Sequence, residues 1–167
     1  IEMGARADHW PHESRALTSY VADQFPQGFQ EGGCTVKVLA AERTFWEKAT
    51  ILHAEFHRPA DKAMPDRFSR HYCDFYELVR RGIVSPAVAK PELLARVAEH
   101  KSLFFKSSWS RYGEATRGTL RIAPPESRLK ALRDDYAKMQ QMFFGKPPEF
   151  EEIIRLLSQW ESEFNGT

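Results

Sequence analysis

Two charged residues stand inside otherwise apolar sequence in the first half of the chain. Lys48 lies in the segment WEKATIL, and Asp74 lies in the aromatic run HYCDFYEL. Burying either charge is costly unless the two side chains pair with each other or meet a charged ligand. A lysine ammonium can hold a triphosphate oxygen, and a carboxylate can accept a proton or bind a metal ion. If the two side chains converge, they suit phosphate chemistry.

Both residues lie in segments whose apolar positions recur at helical spacing. In the first segment, AERTFWEKATILHAEFH, one stripe over about four turns holds Phe45, Ala49, Leu52 and Phe56. A second helix is predicted from Asp66 to about Arg81, where Gly82 ends it. Because the two helices are consecutive, a helical hairpin could bring Lys48 and Asp74 together.

The residues before the first of these helices favour strands. IEMGARA, residues 1–7, alternates apolar and polar positions, and CTVKVLA, residues 34–40, is β-branched and follows two glycines. Residues 16–25 fit either a strand or a short helix. The sequence therefore predicts an α+β fold that is mainly helical, with two or three strands in residues 1–40 and a helical domain in residues 41–167.

The C-terminal half continues as helices around one long loop. Helical sequence opens at Ser85 or Pro91 and runs to Phe105, and residues 107–125 have no clear period and are predicted to be a loop. Two amphipathic helices follow, Glu126–Phe144 and Glu149–Phe164, separated by GKPP. They are predicted to form an antiparallel hairpin.

Composition places few limits on function. The 167 residues carry a formal net charge of +1, so composition alone gives no reason to expect nucleic acid or an acidic membrane surface as a partner. Cys34 and Cys73 lie far apart and show no CxxC spacing, which favours a reduced, cytoplasmic setting over a disulfide. No apolar run approaches the roughly 20 residues of a membrane span, and no signal peptide is recognisable.

The segments WEKATIL and HYCDFYEL resemble the Glu-Lys and Asp-aromatic-Asp helices of the AbiEii/AbiGii nucleotidyltransferase toxin family. The resemblance implies that Lys48 and Asp74 complete an active site, in which Lys48 binds the phosphates of an NTP and Asp74 acts as base or metal ligand. Glu77 matches the second acid of the family's second helix. Glu47 matches the acid before the lysine and is interpreted as its structural partner.

The same resemblance has two consequences for the start of the chain. The strand at residues 1–7 is similar to a late strand of the family's core sheet, so Glu2 is a candidate third catalytic carboxylate. The family's Gly-Ser pair followed by two spaced acids, which holds Mg²⁺, is not present in the sequence. Since the chain also begins at Ile1 rather than Met, we expect a fragment that is inactive alone and holds no complete metal site. Its parent would use Mg²⁺ to transfer a nucleotidyl group from an NTP to an RNA or protein acceptor.

The alternative hypothesis is that the chain is a non-catalytic helical module that binds RNA, such as tRNA, or an antitoxin. Residues 100–121 interleave cations with aromatic rings, a mixture that suits phosphates and unpaired bases. The candidate nucleic-acid-binding residues are Lys106, Arg111 and Arg117. The competing structural interpretation is a core helix followed by an ordinary polar loop.

Other reactive side chains have plainer interpretations. Lys48 could extend from a helix flank to water, and Asp74 could be a solvated acid. His53 and His71 lack a second metal ligand at close helical spacing, so each is expected to serve in packing or at the surface. Cys73 is surrounded by aromatic residues and is expected to be a buried, inert thiol.

Overall fold

The computed structural model describes residues 8–30, 32–143 and 145–167. Helices account for 57% of the structure, and a small antiparallel sheet precedes most of them, so the predicted α+β, mainly helical fold is confirmed. The chain divides into two compact units, Ile1–Ala40 and Ala41–Thr167.

The first unit is built on a β-hairpin. Strand β1 (His12–Thr18) pairs antiparallel with β2 (Gly33–Leu39), so that His12 faces Leu39 and Thr18 faces Gly33. A short helix, α1 (Tyr20–Gln24), follows β1, and the Ser19 hydroxyl caps it by accepting a hydrogen bond from the Ala22 N–H at 3.1 Å.

The predictions for this unit have three outcomes. The strand predicted at residues 34–40 is confirmed as β2. Residues 16–25, for which a strand and a helix were both open, divide between the end of β1 and α1. The strand predicted at residues 1–7 lies outside the described residues.

The second unit is a set of six helices in the described part of the chain. They are α2 (Ala41–Phe56), α3 (Ser69–Arg80), α4 (Val84–Val88), α5 (Pro91–Phe104), α6 (Glu126–Lys138) and α7 (Phe150–Asn165). Helix α2 is central, because α3, α4 and α5 all pack against it, while α6 and α7 pack against α3. None of the described helices is both long and apolar enough to cross a membrane.

Aromatic side chains from α2, α3 and α7 form the centre of the core. The Phe45 ring lies 4.7 Å from Phe75 and 5.4 Å from Trp160, and Phe75 lies 5.2 Å from Trp160. Phe45 and Phe75 are fully buried. Such ring contacts add directional preference to the burial of large apolar surfaces, so they hold α2 and α3 in one relative orientation.

The start of α3 differs from the prediction. The helix begins at Ser69 rather than Asp66, because Arg67 adopts a left-handed conformation with φ of 59°. The Asp135 carboxylate of α6 then caps the helix by accepting hydrogen bonds from the Arg67 N–H at 2.6 Å and the Ser69 N–H at 2.8 Å. A remote side chain therefore fixes this helix end, and local sequence does not reveal it.

The last two helices also depart from the prediction. Helix α6 ends at Lys138, followed by a single 3₁₀ turn at Gln140–Met142, rather than continuing to residue 144. The backbones of α6 and α7 approach each other less closely than each approaches α3. Side chains of the two helices meet where Arg133 pairs with Glu151 at 2.8 Å, and their arrangement as an antiparallel hairpin stays a prediction.

The segment at residues 107–125 is a loop with one 3₁₀ turn, Tyr112–Glu114, and it packs into the core. Ala115, Leu120 and Ile122 are fully buried. The buried His53 ring of α2 hydrogen-bonds the Arg111 carbonyl at 3.1 Å and accepts from the Arg121 N–H at 3.0 Å. These contacts make His53 a packing residue, as predicted.

We predict that Asp135→Ala lowers the free energy of unfolding by about 2 kcal/mol, because it removes the cap of α3 and leaves the buried Ser69 N–H without a partner. Chemical denaturation measures the change. The matched control is Asp134→Ala, which removes the exposed neighbouring carboxylate and should change stability by less than about 0.5 kcal/mol. Equal effects of the two substitutions would contradict the capping role.

Candidate functional site

Lys48 and Asp74 meet on facing helices. Lys48 of α2 places its Nζ 2.6 Å from the Oδ2 of Asp74 on α3. The exposed fractions of the two side chains are 21% and 47%. The pair therefore lies at the edge of the aromatic core, held by a packed helix on each side and still open to solvent.

His71 is a third member of this site. It lies three residues before Asp74 on α3, which puts both side chains on one face of the helix. Its Nδ1 is 3.3 Å from Lys48 Nζ. Burial and the nearby positive charge of Lys48 lower the pKa of His71 to about 4, so the ring is neutral at pH 7.

A buried ion cluster lies directly beside Lys48 on α2. The Glu47 carboxylate accepts hydrogen bonds from Arg43 Nη2 at 2.8 Å, and its other oxygen lies 3.1 Å from Lys101 Nζ. Lys101 of α5 also donates to the Glu47 carbonyl at 2.8 Å. Arg43 is fully buried and Lys101 is nearly so. This Arg43–Glu47–Lys101 cluster anchors the turn of α2 from which Lys48 extends.

The cluster is consistent with a structural role for Glu47. Its pKa is lowered although burial opposes ionisation, because Lys101 and Arg43 stabilise the carboxylate. Burial lowers the pKa of Lys101 to about 8, against the opposing effect of Glu47. Three cations, Arg43, Lys48 and Lys101, thus surround two carboxylates, and the local excess of positive charge favours an anionic ligand.

The fit of the site to a divalent cation is poor. Across residues 8–30, 32–143 and 145–167, no group of three or more histidine, cysteine, aspartate or glutamate side chains could hold a metal ion. Asp74 supplies one carboxylate, and one of its oxygens already binds Lys48. The described residues therefore do not form a magnesium site by themselves.

Three other residues that the sequence singles out have separate outcomes. Glu77 is exposed and lies 3.5 Å from Arg81. Cys73 is buried, as predicted, and burial raises the pKa of its thiol to about 12, which disfavours the reactive thiolate. Glu2 lies outside the described residues.

The predicted nucleic-acid residues do not form a uniform basic surface. Arg111 lies 3.6 Å from Glu114, and Arg117 donates to the Phe164 carbonyl at 3.2 Å. Lys101, which belongs to the same stretch of sequence, is buried with Glu47. The end of α5 keeps the expected mixture, because Phe104 and Phe105 are 51% and 46% exposed and Lys106 follows them.

Sequence reasoning missed His71, Arg43 and Lys101 as members of the site. His71 had a usable signal, since it stands one helical turn before Asp74 on the same face. Arg43 had a comparable signal, four residues before Glu47 on α2. Lys101 had none, because its partner lies 54 residues away and the contact depends on how α5 packs against α2.

We predict that stability depends on pH through Lys101. Between about pH 8, its folded pKa, and pH 10.5, its ordinary value, the unfolded chain binds this proton more strongly than the folded chain. Raising the pH through this range therefore stabilises the folded protein relative to Lys101→Met, which lacks the group. Urea unfolding of both proteins at several pH values measures the difference. If the difference in the free energy of unfolding between the two proteins stays constant across this pH range, the pKa of Lys101 is not lowered in the folded protein.

One comparison with known proteins identifies a family for the chain. A family model described as the nucleotidyl transferase AbiEii toxin of type IV toxin–antitoxin systems matches residues 1–156. No curated protein and no solved structure matches the chain. Since the family match covers nearly all of the 167 residues, the chain belongs to the AbiEii nucleotidyl transferase toxin family.

Proposed function

We propose that the helical unit contributes Lys48 and Asp74 to the active site of a nucleotidyltransferase toxin. Lys48 binds a phosphate oxygen of the NTP, and Asp74 accepts the proton of the acceptor hydroxyl. The acceptor is an RNA or a protein, and the family description implies a cognate antitoxin. The observation that carries the proposal is the contact of 2.6 Å between these two side chains, on helices that the family match includes.

The hydrogen bonds of Lys48 leave it able to bind a phosphate. An ammonium has three N–H donors, and Asp74 and His71 take two of them. Among the described residues, the third has no partner. Because the side chain is also partly exposed, a triphosphate oxygen can approach that donor without unfolding the site.

The chemistry follows from the charges. The acceptor oxygen attacks the α-phosphorus of the NTP, a new O–P bond forms, and the bond from the α-phosphorus to the bridging oxygen breaks, releasing pyrophosphate. Asp74 takes the proton of the acceptor hydroxyl and returns it to water. Lys48 offsets the negative charge on the phosphates, which is the main electrostatic demand of phosphoryl transfer.

Mg²⁺, when bound, would stabilise the negative charge that develops on the phosphates in such a reaction. The described residues do not form its site. The role proposed for this unit is therefore limited to binding a phosphate and accepting a proton.

The simpler alternative is an ion pair that only stabilises the fold. Half-exposed ion pairs typically contribute about 0.2–1 kcal/mol to stability. A structural pair would therefore affect stability and activity to the same small extent. A catalytic pair would affect activity far more than stability, and this difference separates the two readings.

We predict that Lys48→Met and Asp74→Asn in the full-length protein each reduce nucleotidyl transfer at least about 100-fold, with a loss of stability below about 1 kcal/mol. Transfer of label from α-³²P NTPs to cellular RNA or protein and growth arrest on expression measure activity. Thermal unfolding measures stability.

The matched control is Lys90→Met, which breaks an ion pair of the same length, 2.6 Å to Glu42 Oε1, at the exposed start of α2. It should retain full activity. If the Lys48 and Asp74 variants retain nucleotidyl transfer and toxicity as the Lys90 variant does, their assignment to the active site is wrong.

A second candidate function is binding of RNA or an antitoxin by the helical unit without catalysis. The exposed rings of Phe104 and Phe105, followed by Lys106, favour it, because unpaired bases stack on aromatic rings and phosphates bind cations. This candidate predicts that Phe104→Ala with Phe105→Ala abolishes toxicity, while Lys48→Met and Asp74→Asn do not. Loss of RNA binding with a weaker salt dependence in Lys106→Ala would support RNA as the partner.

A further inference from the structure

The ring of His71 lies beside Lys48, and packing alone does not account for this position. A histidine on the flank of a helix could turn its ring toward water or toward the core. Here the ring lies beside a lysine, an arrangement that costs energy if the ring is charged. The side chains whose charges act on it are Lys48, Arg70, Asp74 and Lys101.

The contact with Lys48 determines which ring nitrogen carries the proton. A lysine ammonium only donates hydrogen bonds, so Nδ1, at 3.3 Å from Nζ, must accept. The neutral ring then carries its proton on Nε2. The low pKa of about 4 agrees with a neutral ring.

A second contact fixes the orientation of the ring. Phe68 packs edge-on against it, with centroids 4.9 Å apart and an interplanar angle of 72°. Phe68 itself packs against the buried core. The ring therefore lies between the core on one side and Lys48 on the other, and its lone pair is aimed at the ammonium.

We propose that His71 is the positioning residue of the nucleotide site, holding the Lys48 ammonium in place for an NTP phosphate through a hydrogen bond to Nδ1. The proposal rests on the proposed function, in which Lys48 is the phosphate ligand. Asp74 alone would hold a flexible side chain at a single point and would also neutralise its charge. His71 adds a second point of attachment and leaves the positive charge intact.

A neutral hydrogen-bond acceptor suits the position of His71 beside Lys48 better than the alternatives. A second carboxylate would repel the incoming triphosphate, and a cation would compete with Lys48 for Asp74. An apolar residue would leave the four-carbon lysine chain free to adopt several rotamers, whose entropy is lost again when phosphate binds.

The test measures NTP binding by the full-length protein. The probes are ATP, CTP, GTP and UTP, each titrated calorimetrically with MgCl₂ in the buffer, and the NTP that binds most tightly is carried forward. His71→Leu should raise its Kd roughly tenfold, the usual effect of losing a hydrogen bond to a charged group. His71→Asn, whose amide oxygen can take the place of Nδ1, should restore most of the affinity. The matched control is His100→Leu, whose ring contacts Phe104 and Phe105 rather than Lys48 and whose loss should leave Kd unchanged.

The pattern of results separates this proposal from the proposed function. If Lys48→Met abolishes binding while His71→Leu binds as the wild type does, the positioning role is wrong and the nucleotide site stands. If Lys48→Met also binds as the wild type does, the proposed function fails and the positioning role fails with it. If His71→Leu and His71→Asn weaken NTP binding equally, the positioning role is also wrong. The Asn side chain offers Lys48 a hydrogen-bond acceptor and the Leu side chain does not.

A spectroscopic measurement covers the case in which the His71 variants do not fold. The ¹⁵N spectrum of the wild-type protein should show His71 with an unprotonated Nδ1 and a protonated Nε2 at neutral pH, and NTP should shift the Nδ1 resonance. A protonated Nδ1, or a resonance that NTP leaves unchanged, would overturn the proposal.

Discussion

The structure of the helical unit depends on how two charged side chains are accommodated at the edge of an aromatic core. Phe45, Phe75 and Trp160 hold α2 against α3. That packing leaves Lys48 and Asp74 facing each other at 2.6 Å, with part of each side chain in water. Deeper burial would make desolvation costly, whereas full exposure would leave nothing to keep the two side chains together. Their half-buried position supports a fixed geometry that a ligand can still reach.

The charged residues behind this pair are buried more deeply. Arg43, Glu47 and Lys101 are linked through both oxygens of one carboxylate and a backbone carbonyl, so each polar group has a partner despite its burial. The cluster ties α5 to the turn of α2 that carries Lys48. The site is thus supported on one side by ring packing and on the other by an ion network.

The sequence predicts the parts of this arrangement that local pattern determines. The helices α2 and α3 follow from apolar spacing, and Lys48 and Asp74 stand out because each is a charge within an apolar run on consecutive helices. The family resemblance rests on the same residues, and the family match confirms it. The β2 strand follows from β-branched residues after a glycine pair.

The parts that long-range contacts determine are the parts that the sequence does not predict. Helix α3 begins at Ser69 because a carboxylate 66 residues away caps it. Residues 100–121 look like one basic, aromatic surface, but Lys101 turns inward to Glu47 and Leu120 is fully buried. His71 looks like a lone histidine in the sequence, because its partner is a lysine on another helix. In each case the deciding interaction is tertiary, and residue type alone does not distinguish the buried member from the exposed one.

The central claim is that Lys48 binds a nucleotide phosphate. A crystal structure of the full-length protein with a non-hydrolysable NTP analogue and Mg²⁺ tests it most directly. We expect a phosphate oxygen within hydrogen-bonding distance of Lys48 Nζ, with Asp74 and His71 still beside it. A triphosphate bound elsewhere, with Lys48 in contact only with Asp74 and His71, would contradict the claim.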